Sequence, residues 1–245
     1  MLRGKGRPVI SRWQIPRSIA ALIFSWTSLI AQPVAALVID DFSDGAIAST
    51  ITTGSYVSVT PATVLGGKRF VAAVITSNPL DRDVDVAVTP GLFALDTGTL
   101  TGAFGQLGYG IDTFTGPGMT TYLDLNVDLT VLGDRIRLEF ASNDLPQSVD
   151  LLLYNNLQSG VGVLGSVQTA LVAGNQFATF FVDFPFSGVN GGVDLTTIDQ
   201  IGVNFNFKGE PSRDFALHSI SIVPEPSTLS IVGLGIAMLG RRRLR

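Results

Sequence analysis

Apolar and polar residues alternate one for one along much of the chain between residues 37 and 223. A period of two marks strands that bury one face. In D-V-D-V-A-V, Val84, Val86 and Val88 share one face, and Asp83, Asp85 and Ala87 share the other. Y-L-D-L-N-V-D-L-T-V directs Leu123, Leu125, Val127, Leu129 and Val131 inward, with Tyr122, Asp124, Asn126, Asp128 and Thr130 outward. R-I-R-L-E-F sets Ile136, Leu138 and Phe140 against Arg135, Arg137 and Glu139, and the intervening Gly133–Asp134 pair predicts a tight hairpin. Further strands are predicted at Leu37–Phe42, Tyr56–Thr60, Phe70–Thr76, Gly108–Phe114, Val149–Tyr154, Val161–Val167, Phe177–Phe184, Ile201–Phe207 and Phe215–Val223. Turn residues fill the gaps, as in G-P-G at 116–118, S-N-D-L-P at 142–146 and V-N-G-G at 189–192. No helical periodicity interrupts this series. The pattern predicts an all-β domain, an antiparallel two-sheet sandwich of jelly-roll type, whose phenylalanine-rich runs at 177–186 and 205–207 form core.

The two ends follow different rules. Residues 1–36 carry Arg3, Lys5, Arg7, Arg12 and Arg17, then an apolar run from Ile19 to Ile30, then A-Q-P-V-A-A. A basic start, a short apolar stretch and a small-residue exit predict a secretory signal peptide cut after Ala36 by signal peptidase. No twin-arginine pair precedes the apolar run, so export through the Sec machinery is expected. At the other end, Leu229–Gly240 is an apolar segment about 18 Å long as a helix, short against a bilayer core of roughly 30 Å. Arg241, Arg242, Arg243 and Arg245 follow it and are expected to stay in the cytoplasm. Pro224 and Pro226 keep the preceding stretch extended. The domain plan is therefore 1–36, a β-sandwich at 37–222, and a C-terminal segment at 223–245 with a short transmembrane helix.

Pro224, Glu225 and Pro226, an apolar run and then R-R-R-L-R resemble the PEP-CTERM sorting signal. The resemblance implies an exosortase as processing partner and Pro224–Pro226 as the processing motif. It implies a protein held for a time in the inner membrane, then placed at the cell surface or in an exopolysaccharide or biofilm matrix. L-V-I-D-D-F-S-D-G at 37–45 and D-F-A-L-H-S-I-S-I-V at 214–223 are similar to the opening and closing strands of exported jelly-roll domains related to carbohydrate-binding modules.

Composition then narrows the chemistry. Residues 37–227 hold all twenty acidic residues and seven basic ones, a net charge of −13 that the overall −4 conceals. Such a domain repels nucleic acid and attracts divalent cations and basic partners. Cysteine is absent, which excludes thiol catalysis, zinc–thiolate sites and disulfides and leaves stability to the core. His218, the only histidine, lies on a predicted strand and reads as a packed residue rather than a base. No nucleophile elbow, phosphate loop, zinc-protease motif or dinucleotide fingerprint occurs. Catalysis is therefore not expected.

Two binding chemistries stay open. Asp41 and Asp44 lie close in sequence, and Asp214 would join them if the first and last strands are neighbours, giving a structural calcium site. Sugar stacking needs an exposed aromatic ring; both tryptophans fall in the signal peptide, and Tyr122, on the polar face of its run, is the best candidate. The leading expectation is a non-enzymatic surface or matrix protein, and the second is a calcium-assisted carbohydrate-binding module.

Overall fold

A computed structural model describes residues 35–116, 120–157 and 163–225. The expected signal peptide, the expected C-terminal helix, Pro226 and the arginine cluster lie outside the described residues. No helix of the described residues is long and apolar enough to cross a membrane.

Ala35–Glu225 forms one compact unit of strands. In chain order these are β1 (Leu37–Asp40), β2 (Ile47–Ile51), β3 (Ser55–Pro61), β4 (Lys68–Ser77), β5 (Val84–Thr89), β6 (Leu92–Thr97), β7 (Gly102–Tyr109) and β8 (Ile111–Phe114). They continue as β9 (Thr120–Tyr122), β10 (Arg135–Asn143), β11 (Gln147–Asn155), β12 (Leu164–Val172), β13 (Phe180–Pro185), β14 (Gln200–Phe205) and β15 (Phe215–Val223). A single 3-10 turn at Phe186–Gly188 is the one helical element among the described residues. A seven-stranded sheet runs β13-β10-β15-β6-β5-β2, with β1 also paired to β15, and a six-stranded sheet runs β12-β11-β14-β7-β4-β3. Every strand pair is antiparallel. The chain repeatedly crosses from one sheet to the other, the expected jelly-roll-like sandwich.

The inward side chains of the two sheets make the core. Phe205 of β14 stacks on Phe215 of β15 with centroids 4.4 Å apart, and Phe93 and Phe140 close around them. Each such side chain contributes about 1.5–3 kcal/mol by leaving water, and no disulfide adds to this.

Asp40 and Arg69 are fully buried beside that core. Arg69 donates from Nε and Nη2 to both Asp40 oxygens at 2.6 Å, and Tyr109 donates its hydroxyl to Asp40 at 2.8 Å. The other Arg69 nitrogen, Nη1, donates to the carbonyls of Asp44 and Gly45, tying the 40–45 loop of one sheet to β4 of the other. Burial opposes the Arg69 charge, yet Asp40 outweighs it and the guanidinium pKa moves up; burial and Asp40 also push the Tyr109 phenol well above its usual value.

Four local expectations are corrected. The run 122–131 is not a strand: Asn126 takes a left-handed φ of 42°, and only an isolated bridge, Val127 to Ile198, remains. Without that partner, Gly133–Asp134 closes no hairpin, and β10 pairs with β13 and β15 instead. Gly108–Phe114 is split at Gly110 (φ 97°), where β7 ends and β8 turns away. The phenylalanines of 177–186 and 205–207 are only partly core: Phe184 and Phe205 are buried, whereas Phe177, Phe181 and Phe207 are exposed.

Candidate functional site

β14, Q-I-G-V-N-F, is buried at all six positions. Ile201, Val203 and Phe205 face the core, so Gln200, Gly202 and Asn204 are covered on the opposite, outer face of the six-stranded sheet. Register defines the rows of that face. One row runs Thr169, Asp150, Asn204, Gln106, Ala72 and Val57 across β12, β11, β14, β7, β4 and β3. The next places Leu152 beside Gly202 and Gly108, and the one beyond pairs Tyr154 with Gln200.

The β8–β9 hairpin covers the β3–β4 side of this face. Ile111, Phe114 and Tyr122 pack with Phe70, Ala72, Val57 and Val59, with Phe70 and Phe114 edge to face at 5.5 Å. A Cβ on Gly108 would stand 3.1 Å from Ile111, so glycine there lets the hairpin settle. A Cβ on Gly202 would meet only ordinary contacts, the nearest at 3.5 Å from Leu152. Gly202 and Gly108 carry no side chain, so this buried part of the face lies low, a shallow trough flanked by the hairpin and by β11–β12.

The walls carry recognisable chemistry. The Tyr154 ring lies against Gly165, where a Cβ would be 2.7 Å from Cε1. Burial first, then the electrostatic influence of Tyr122, push the Tyr154 phenol above its usual range. At the opposite end, Phe104 of β7 and exposed Phe207 pair at 5.5 Å. Asp150 accepts the Thr169 hydroxyl at 2.6 Å. Asn204 is only 7% exposed, and its buried Oδ1 has no hydrogen-bond partner. An unpaired buried oxygen costs about 1–3 kcal/mol, which a ligand hydroxyl would relieve. From Ser148 to Tyr154 the face extends six residues along β11, about 20 Å.

The other sequence candidates are placed as follows. Tyr122 does reach this face. Asp44 accepts from the Thr63 amide and hydroxyl, and Asp41 from the Ser43 amide, while Asp214 takes the Thr97 amide. The first and last strands do pair, but in a register that sets Leu37 opposite Ile222 and Asp40 opposite Ile220, leaving Asp214 at the far end of β15. Among the described residues no three acidic or histidine side chains group to hold a metal ion. A His218 ring nitrogen lies 3.1 Å from the Gly91 carbonyl. Pro224 and Glu225 follow β15 directly. Sequence reasoning missed Asn204, Gln106, Gln200 and Gly202; the faint signal was V-N-F-N-F, where amides replace the usual solvated charges opposite a phenylalanine face.

No family model and no curated protein matches the sequence. Solved structures of similar backbone course include carbohydrate-binding modules. One is a family 11 carbohydrate-binding module from Clostridium thermocellum in complex with a β-1,3-1,4-mixed-linked tetrasaccharide, at 13% identity and TM-score 0.40, covering 79% of this chain and 98% of that one. A second is the family 11 module of the cellulosomal cellulase Lic26A-Cel5E of the same organism, at 13% identity and TM-score 0.39, covering 78% and 96%. A third contains the CBM22-1 and GH10 modules of its xylanase 10B, solved with xylohexaose, at 10% identity and TM-score 0.29, covering 78% and 28%.

Proposed function

We propose that this domain is a non-catalytic carbohydrate-binding sandwich whose ligand lies in the trough of the six-stranded sheet. The observation that carries the reading is the buried, unpartnered Asn204 Oδ1 beside the side-chain-free floor at Gly202, with Tyr154 in the last row and Tyr122 on the flanking hairpin. Amides suit sugar hydroxyls because each offers both donors and an acceptor, and aromatic rings suit the apolar faces of pyranoses. Gly202 lets a ring approach the backbone closely. Retardation in polysaccharide-containing gels tests this: Tyr154→Ala and Asn204→Leu should each weaken binding about tenfold or more, the loss of roughly one charge-free recognition contact plus its desolvation. Retention of full affinity by both variants, or failure to bind any polysaccharide from a broad panel, would sink the reading.

The sequence of the two ends supports a place for that binding. The chain is exported through Sec, anchored briefly in the inner membrane by Leu229–Gly240, processed near Pro224–Pro226 by an exosortase, and delivered to the surface or to an exopolysaccharide matrix. The last core strand stops at Val223, so a cut after it would spare every described strand pair. Intact mass of the protein recovered from its host's surface should show a species beginning near Leu37 and lacking Arg241–Arg245; a product that keeps the arginines contradicts the sorting step.

A further inference from the structure

At the Ser148 end, the same outer face runs into a pocket of about 220 Å³ lined by Gln147, Ser148, Leu171, Lys208, Glu210 and Arg213. Ser148 and Leu171 are opposite each other in register and sit one row beyond Asp150 and Thr169, about 7 Å along the strands. We propose that this pocket takes the carboxylate-bearing ring of a uronic acid, so that the face reads an acidic polysaccharide; the proposal rests on carbohydrate binding by the trough.

The charges single the pocket out. Of the seven basic residues in this acidic domain, Lys68, Arg69, Arg135, Arg137 and Arg213 pair with carboxylates, while Arg82 and Lys208 do not, and Arg82 lies away from the pocket. Lys208 has no acidic partner, and it lines the pocket. Arg213 gives Nη2 to Glu210 at 2.9 Å, while its Nε–H is buried with no acceptor. Gln147 is 2% exposed; its Nε2 donates to Asn143, and its Oε1 is buried with no donor. Three hydrogen-bonding positions are thus unused: an ammonium, a guanidinium N–H and an amide oxygen.

These three ask for different things from one ligand. The two cationic donors match the two oxygens of a carboxylate, a charge-assisted arrangement. The amide oxygen can only accept, so the ligand must also bring a hydroxyl. A pyranose with a carboxylate and a vicinal hydroxyl supplies both, which sulfate or a fully ionised phosphate does not. Glu210 beside Arg213 limits the pocket to a single negative charge. Leu171, 87% exposed, offers an apolar surface to the ring's edge.

The test is calorimetric titration of the full chain with tetragalacturonate and with its carboxyl-reduced, neutral counterpart. The acidic ligand should bind about tenfold more tightly, and Lys208→Ala, at an exposed site, should erase that preference while leaving the neutral ligand unchanged. Tyr154→Ala should weaken both ligands alike. Equal binding of the two ligands, or an equal loss on both with Lys208→Ala, overturns the pocket and leaves the trough standing. Acidic binding that depends on Lys208 but ignores Tyr154→Ala keeps the pocket and removes the trough. Binding of neither ligand overturns the pocket proposal, and the broad polysaccharide panel then decides the trough separately.

Discussion

A single residue, Asp40, changes the meaning of the opening motif. In L-V-I-D-D-F-S-D-G the clustered aspartates suggest a cation site, yet Asp40 turns inward to meet Arg69, twenty-nine positions away. Nothing in local spacing points to that partner, because Arg69 sits where the alternation of β4 calls for an apolar side chain. Removing one half of a buried pair leaves an uncompensated charge, so Arg69→Met should cost about 3–5 kcal/mol. Urea unfolding followed by intrinsic fluorescence measures it; a loss under 1 kcal/mol would mean the pair is dispensable. Carboxylates on the surface set the acid limb. Two bonds from Arg137 hold the Asp183 carboxyl below its ordinary range, against the opposing effect of burial. The unfolded chain therefore binds that proton first as pH falls. This contribution is present above about pH 4 and is lost as pH drops through and below that value. Melting temperature between pH 7 and 2.5 should fall more steeply below pH 4 in the native protein than in Arg137→Gln, and parallel curves would refute the assignment.

Elements were legible where one face alone is buried. β5 and β10 announce themselves by strict alternation, and Val84, Val86, Val88, Ile136, Leu138 and Phe140 are all buried as expected. The same rule overreached at 122–131, where burial alternates only from Leu123 to Val127, Asn126 breaks the backbone, and Val131, expected inward, is exposed. It fell short at β14, whose Gly202 and Asn204 are covered on both faces, so no solvated side remained to mark the trough. Sequence reasoning found Tyr122 as an aromatic candidate but could not see the apolar cluster it packs in, since the hairpin that carries it turns on Gly110. That glycine has φ 97°, and a Cβ there would fall 2.2 Å from the Asp199 carbonyl oxygen. Gly110→Ala should therefore destabilise by at least ~1–3 kcal/mol from backbone strain, with the clash adding to it. Because the hairpin forms one wall of the trough, polysaccharide binding should weaken along with thermal stability. Unchanged values of both in the variant would show that β8 and β9 do not depend on this turn.

For the molecule as a whole, β15 is the member on which the sandwich depends. It pairs with β10 along its length, with β6 through Phe215–Leu217, and with β1 through Ile220–Ile222. Ile220 and Ile222 are fully buried, and the Val223 carbonyl accepts the Asp134 amide at 3.0 Å. Past Val223 the chain makes no strand contact that is described, and Glu225 is exposed. The described strands thus end at Val223, directly before the Pro224–Pro226 motif that resembles a processing signal. A stop codon after Glu225 should leave the melting temperature of the sandwich unchanged, because no pairing or core side chain is lost. A stop after Leu217 removes Ile220 and Ile222, two side chains worth about 1.5–3 kcal/mol each, together with every bond to β1. That loss is of the order of a domain's whole stability, and the shorter product should not fold cooperatively. Differential scanning calorimetry of both truncations decides the matter: a shift of many degrees on removing only 226–245 would make the tail part of the working fold rather than an address that can be cut away.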